Sequence, residues 1–241
     1  MLNVLILAAG GGKRFAECGY DKPKPLISVN GKPMIQLVTE NLGFSHARHI
    51  FMVQKSHIEE YQIDGFLKGI VNNAIVIPVD GITSGACVTA LMATNYIDND
   101  NPLVIANCDQ LLLDFKSKEF MNTLSMDGID GVVPTFYANH NRWSYAAVSE
   151  GFITKVVEKQ VISKNATVGL YGFRKGKDFV WAANEMIRKD IRVNNEYYVC
   201  PSLQQLIDVG KKFVIKEYKE MWGLGIPEDL IRFVENHPNG K

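Results

Sequence analysis

Residues 3–7, Asn-Val-Leu-Ile-Leu, carry no polar side chain after the first position, and "AAGGG" follows directly behind them. A run this short and continuously apolar reads as a β-strand covered on both faces. The same kind of run recurs at "HIFMVQ", "AIVIPV", "PLVIANCD" and "DGVVPTF". Between the runs the spacing turns helical. In "PMIQLVTENL", opened by Pro33, the apolar positions are Met34, Ile35, Leu37, Val38 and Leu42, and "ACVTALMATNYI" and "SKEFMNTLSM" also read as helices. Strands buried on both sides need helices on both sides. The alternation therefore predicts an α/β fold of three layers, α/β/α, around a mixed, mainly parallel sheet.

After about residue 135 the pattern changes. "SYAAVSE", "GFITKVVEK" and "ATVGLYGF" are strands joined by short polar turns, more meander than crossover. Helices at "KDFVWAANEMIRK" and "PSLQQLIDVG", a strand at "KFVIKEY" and a helix at "PEDLIRFVEN" complete the reading. No repeat, low-complexity tract or flexible linker separates the halves, so 1–241 is expected to be one domain, with the second part, 136–241, packed on the first, 1–135.

Composition excludes several roles. Lys plus Arg number 26 and Asp plus Glu number 26, so the chain has no charge excess with which to coat nucleic acid or an anionic membrane. No apolar stretch approaches the roughly 20 residues that span a bilayer. Met1–Leu7 has no basic segment of the secretory kind, and the expected location is the cytoplasm. Cys18, Cys87, Cys108 and Cys200 are widely spaced without a CxxC pair, and read as free thiols rather than a zinc site or disulfide frame. His46, His49, His57 and His140 fall in no catalytic or metal-binding spacing and are read as surface or loop residues.

A glycine-rich turn behind a strand presents backbone N–H groups that can hold phosphate. Two common versions do not fit "LAAGGGKRF". The dinucleotide fingerprint needs glycine where Phe15 stands. The P-loop needs glycine at Leu7 and Ser or Thr at Arg14. Two cations at the exit, Lys13 and Arg14, suit a polyphosphate better than a bare turn. Ten residues on, in "DKPKPLISVNGKPMI", Pro23 and Pro25 bracket Lys24 and fix its backbone.

Together these two segments resemble the signature of the sugar-1-phosphate nucleotidyltransferase (nucleoside-diphosphate-sugar pyrophosphorylase) superfamily, L-A-A-G-x-G-x-R, then P-K-x-L, then G-x-P-M-I. The resemblance implies a Rossmann-like nucleotidyltransferase fold, with 1–135 binding nucleotide and 136–241 the acceptor. It implies that Ala8, Ala9, Gly10, Gly11, Gly12 and Lys13 wrap a nucleoside triphosphate while Arg14 and Lys24 neutralise its charge during attack. "ITSGACVTALMA" resembles the segment that meets the nucleoside, here through Ser84 and Gly85. "LVIANCDQLL" resembles the strand end carrying the family's metal-binding aspartate, which assigns Mg²⁺ to Asp109. On the acceptor side, "ITKVVEKQ" places Glu158 and Lys159, "ATVGLYGF" places Gly169, and "NNEYYVCPSLQQLI" places Glu196 as a ligand for a hydroxyl or amine. Trp143, Tyr145, Tyr197 and Tyr198 line the acceptor pocket or pack the core. "MWGLGIPEDL" resembles the terminal G-T-P-E-D-L, with two departures: Gly223 stands where sugar enzymes carry a second metal-binding aspartate, and Ile226 replaces the threonine.

The chemistry implied is attack of an acceptor phosphate on the α-phosphorus of a nucleoside triphosphate, with release of pyrophosphate. Asp80 lies five residues before Gly85, where many relatives read the base with glutamine. A carboxylate accepts hydrogen bonds only, which suits the amino group of cytosine and opposes a uracil carbonyl; the alternative is that Asp80 caps the turn "VDGITS". The expected activity is thus nucleotidyl transfer, leaning to CTP, onto a phosphorylated sugar or non-sugar. Related bacterial cytidylyltransferases do this for surface-polysaccharide decoration, and an oligomer is compatible with it. The rival readings are a non-catalytic nucleotide-binding regulator and a nucleotide-sugar glycosyltransferase, for which "NCDQ" lacks the Asp-x-Asp pair.

Overall fold

The computed structural model describes residues 1–238. A ten-stranded sheet runs through the chain, with Asn3–Ala8 inside it. Arg48–Gln54 and Leu103–Asn107 flank that strand in parallel, and Ile75–Val79 lies parallel beyond Arg48–Gln54 as the edge. On the other side the polarity reverses. Leu170–Phe173 runs antiparallel between Leu103–Asn107 and Gly131–Tyr137. Asn165–Thr167, Tyr145–Ser149 and Phe152–Val157 continue the sheet antiparallel, and Phe213–Glu217 returns parallel to Gly131–Tyr137. The sheet is mixed and mainly parallel, as the alternation of runs requires.

The central strand shows why three layers form. Val4, Ile6 and Ala8 join one buried cluster and Leu5, Leu7 and Ala9 the other. The first cluster is closed by residues of helices Met34–Leu42, Ile63–Ile70, Ser117–Leu124 and Pro227–Asn236. The second is closed by Ala86–Leu91, Gly176–Arg188 and Val199–Asp208. Each large side chain buried in this way contributes about 1.5–3 kcal/mol.

Four local readings are corrected, and two helices are added. "ACVTALMATNYI" forms two short helices, Ala86–Leu91 and Thr94–Ile97. Between them Met92 and Ala93 donate to Thr89 and Ala90, three residues back rather than four, and the Thr94 hydroxyl takes the Leu91 carbonyl. Helices Lys55–Tyr61 and Ile63–Ile70 were not read, although Ile63, Phe66, Leu67 and Ile70 stand at helical spacing. The first buries no side chain, and Gln62 at φ 52° breaks the pair. "PLVIANCD" ends as a strand at Asn107, and Gln110–Leu112 then pairs antiparallel with Met221–Gly223. "ATVGLYGF" is interrupted at Val168–Gly169, where Gly169 has φ 68°. His49 is no surface residue: it lies buried in Arg48–Gln54, and neither ring nitrogen has a hydrogen-bond partner among the described residues.

Candidate active site

The sheet's parallel strands Asn3–Ala8 and Leu103–Asn107 deliver their C-terminal ends to a cleft of about 670 Å³, where open α/β sheets place ligands. Gly10, Gly11 and Gly12 form one wall. None of their three amides donates to another backbone group among the described residues, so all three N–H groups stay available. Gly12 has φ 59°, and a Cβ there would stand 3.4 Å from the Cβ of Lys24. The chain then turns into the short helix Lys13–Glu17. Phe15 is its buried anchor, edge-on to Tyr20 at 5.1 Å, which leaves Lys13 and Arg14 on the cleft side.

Lys24 arrives from a 3-10 turn, Lys24–Leu26, whose entry Pro23 holds at φ −62° and whose Pro25 is buried. Its Nζ bonds Asp109 Oδ2 at 2.8 Å, both side chains being mostly covered. Burial alone would lower the lysine's pKa. The adjacent Asp109 carboxylate, with smaller help from Cys108, more than offsets this, and Lys24 is held above its ordinary value as a firm cation. Asp109 is fixed from behind, where the Leu224 amide donates to its carbonyl at 2.7 Å. Gly225 keeps the space beside its carboxylate open, since a Cβ there would fall 2.9 Å from Oδ2.

Across the cleft lies the part after residue 135. Tyr145 pairs with Val157 in the sheet, and the pairing is prolonged by a hydrogen bond from the Ser144 hydroxyl to Glu158. Glu158 is 8% exposed. Burial pushes its carboxyl up, Glu196 nearby adds to this, and Ser144 and Lys159 work against it. Lys159, at φ 55°, donates to the Tyr198 hydroxyl at 2.5 Å. Glu196 stands at the rim, behind a turn in which Asn194 and Asn195 both have positive φ. Gly169 sits at the floor, where a Cβ would overlap Gln110 and Asn107.

Thus Gly10, Gly11, Gly12, Lys13, Arg14, Lys24, Asp109, Glu158, Lys159, Gly169 and Glu196 come together in one cleft. Ala8 and Ala9 lie buried beneath it. Gly85 is buried against the backbone of Tyr197, which a Cβ would overlap, so its place is chain packing; Ala86 lines the cleft instead. Asp80 and Ser84 are exposed on the adjoining loop. Of the four aromatic candidates, Trp143 and Tyr198 line the cleft and Tyr145 and Tyr197 are buried.

Three features escaped the sequence reading. Buried Gln54 donates to the carbonyls of Ala9 and, at 3.0 Å, Gly81, tying the glycine loop to the loop that carries Asp80. A glutamine closing an apolar strand was the available signal. Arg142 lies over Trp143 at 4.4 Å and pairs with Asp229 at 3.0 Å. Asp229 Oδ2 stands 3.9 Å from where a Gly223 Cβ would be, so a carboxylate does reach that corner, already engaged by a guanidinium.

The donor set decides what metal this cleft suits. Among the described residues no three His, Cys, Asp or Glu side chains cluster as a metal cage. Mg²⁺ needs only one or two carboxylates when phosphate oxygens and water fill its remaining positions. Asp109 meets that requirement for an ion arriving with a nucleotide.

A mixed α/β sheet thus carries, at the ends of its parallel strands, a glycine loop with open amides and a group of cations. The chain belongs to the MobA-like NTP transferase domain family, which it matches over residues 4–160. It is 25% identical over 239 residues to the bifunctional protein GlmU of Methanococcus vannielii, covering 95% of this chain and 53% of that protein. The chain thus spans about half the length of this curated relative. A shorter match, 47% over 51 residues and 21% of each chain, is to the 2-aminoethylphosphonate cytidylyltransferase of Lancefieldella rimae. Among solved structures, the nucleoside-diphosphate-sugar pyrophosphorylase of Vibrio cholerae superposes with a TM-score of 0.83 at 19% identity, covering 98% of this chain and 100% of that one. The inositol-1-phosphate CTP transferase of T. maritima gives 0.77 at 16% identity, covering 99% and 96%.

Proposed function

We propose that this protein transfers a nucleotidyl group from a nucleoside triphosphate, CTP by preference, to a phosphorylated small molecule and releases pyrophosphate. The observation that carries the reading is the convergence of the open glycine-loop amides, Arg14, Lys24 and Asp109 on one cleft with Lys159 in its opposite half. An acceptor phosphate oxygen attacks the α-phosphorus. The new P–O bond forms as the bond to the β-phosphate oxygen breaks, and pyrophosphate departs with that electron pair. Both reactants are anions, so the catalyst's work is to offset repulsion and align them. The glycine amides and Lys13 hold the triphosphate, Arg14 and Lys24 offset its charge, and Lys159 draws in the acceptor phosphate. Asp109 would hold Mg²⁺, which supplies further charge neutralisation at the phosphates. No general base is required, because a phosphate is already ionised at neutral pH.

The preference for CTP rests on Asp80. Its loop borders the glycine loop: Gly81 shares Gln54 with Ala9, and Ile82 reaches within 3.3 Å of a Gly11 Cβ position. Two similar proteins carry cytidylyl transfer in their names, the aminoethylphosphonate enzyme and the inositol-1-phosphate enzyme. This reading puts the reaction in the cytoplasm and suits the making of building blocks for surface polysaccharide. The test is pyrophosphate release with each ribonucleotide and dTTP against a panel of phosphorylated sugars, polyols and amines. CTP is expected to exceed UTP, and Asp80→Asn to shrink that ratio about ten- to a hundredfold, the scale of one lost base contact. A ratio unmoved by Asp80→Asn refutes the base assignment; no release with any pair refutes nucleotidyl transfer.

A further inference from the structure

The part of the cleft beyond residue 135 is divided by charge. Sheet pairing of Tyr145 with Val157, prolonged by the Ser144–Glu158 bond, sets residues 142–144 alongside 158–159. Two cations therefore come from the ends of neighbouring strands, Lys159 just after Phe152–Val157 and Arg142 just before Tyr145–Ser149, the latter with its side chain still 43% exposed beside its Asp229 partner. The same wall carries two carboxylates, Glu158 and Glu196. Neither is within salt-bridge distance of a cation among the described residues, although Glu158 is buried; the hydroxyl of Ser144 is a neutral partner. Lys159 offsets part of the Glu158 charge through space, but a carboxylate taken out of water without an ion-pair partner is costly, and a second one nearby raises the cost. Hydroxyl groups would satisfy the hydrogen bonding of such a pair and leave both charges standing. An ammonium removes the imbalance; the faces of Trp143 and Tyr198 are already taken by Arg142 and Lys159, so the two carboxylates are its partners.

We propose that the acceptor is a small zwitterion, with a phosphate or phosphonate received by Lys159 and Arg142 and an ammonium received by Glu158 and Glu196. This rests on the reading of the cleft as a nucleotidyl-transfer site and narrows its substrate class. Arg142 enters by moving its charge from Asp229 to the incoming anion, and the triphosphate's share of the same cleft keeps the acceptor small.

The test is calorimetric titration of the protein loaded with a non-hydrolysable analogue of the nucleotide it binds. Two probes are compared, 2-aminoethyl phosphate and ethyl phosphate, which differ only in the amine. The aminated probe is expected to bind at least tenfold more tightly. Glu196→Gln, at an exposed position where misfolding is not at issue, is expected to remove most of that advantage, with the loss confined to the aminated probe. Equal affinities, no measurable binding of either probe, or tighter binding of a hexose 1-phosphate overturns the proposal. Absence of binding by every nucleotide analogue overturns the nucleotidyl-transfer reading beneath it, so the two failures are distinct.

Discussion

At the scale of single residues the cleft is a set of charges held in fixed positions. Arg14 is exposed on the cleft side of its helix, while Lys24 is locked to Asp109 at 2.8 Å. Each is expected to stabilise negative charge that develops on the triphosphate during transfer. Lys24→Ala and Arg14→Ala should each lower turnover at least about a hundredfold, the usual scale for a lost charge-stabilising donor. Circular dichroism should show both variants folded. Near-normal rates in folded variants would remove these residues from the mechanism.

At the scale of elements, the telling feature is the interrupted strand 165–173. From Thr167, opposite Thr135, to Gly172, opposite Val132, the strand advances two residues more than its partner. The surplus is a bulge at Val168–Gly169, which lets one end of the segment pair with Leu103–Asn107 and the other with Tyr145–Ser149. Gly169→Ala would meet both a positive φ and the side chains of Gln110 and Asn107. It should cost about 1–3 kcal/mol of stability, read as a lower denaturant midpoint with an unchanged slope. An unshifted midpoint would show that the bulge relaxes freely.

This element also marks what sequence reveals and what it does not. Runs such as "NVLIL" were legible because burial on both faces leaves no polar position to confuse the period. The wall formed by the glycine loop and Lys24 was legible because its residues are close in sequence and glycine and proline constrain the backbone there. The bulge was not: "ATVGLYGF" reads as one strand until its partners are known. Arg142 and Asp229 were invisible for the same reason, since nothing local joins residues 87 apart. Gly85 was legible as a special position but not for its purpose, which is the close approach of Tyr197's backbone.

At the scale of the whole molecule, one sheet joins both parts, because Leu170–Phe173 pairs with Leu103–Asn107 on one side and Gly131–Tyr137 on the other. A destabilised strand inside this sheet should therefore be felt throughout. His49 lies in Arg48–Gln54, paired to Asn3–Ala8 on one side and to the edge strand on the other, and burial holds its pKa below the ordinary value. The folded protein thus binds fewer protons here than the unfolded chain. The sign follows: stability is complete above the unfolded pKa of about 6.5 and declines as pH falls below it. Thermal midpoints should drop between pH 7 and pH 5.5, and His49→Leu should flatten that dependence. The same variant should lose little at pH 7, because it removes two buried nitrogens that have no partners. An unchanged pH slope in His49→Leu would assign the acid sensitivity elsewhere.

The bond between Lys24 and Asp109 has an entropic side. A free lysine side chain samples many rotamers, and fixing it costs on the order of 2 kcal/mol. In this protein the restriction is already imposed when the chain folds, by the proline-bracketed turn behind Lys24 and the carboxylate in front of it. In the reaction proposed above, a nucleotide entering the cleft would exchange one anionic partner of the lysine for another. It would meet an ammonium group whose disorder was removed in advance, so little of its own binding energy would go into ordering the side chain that receives it.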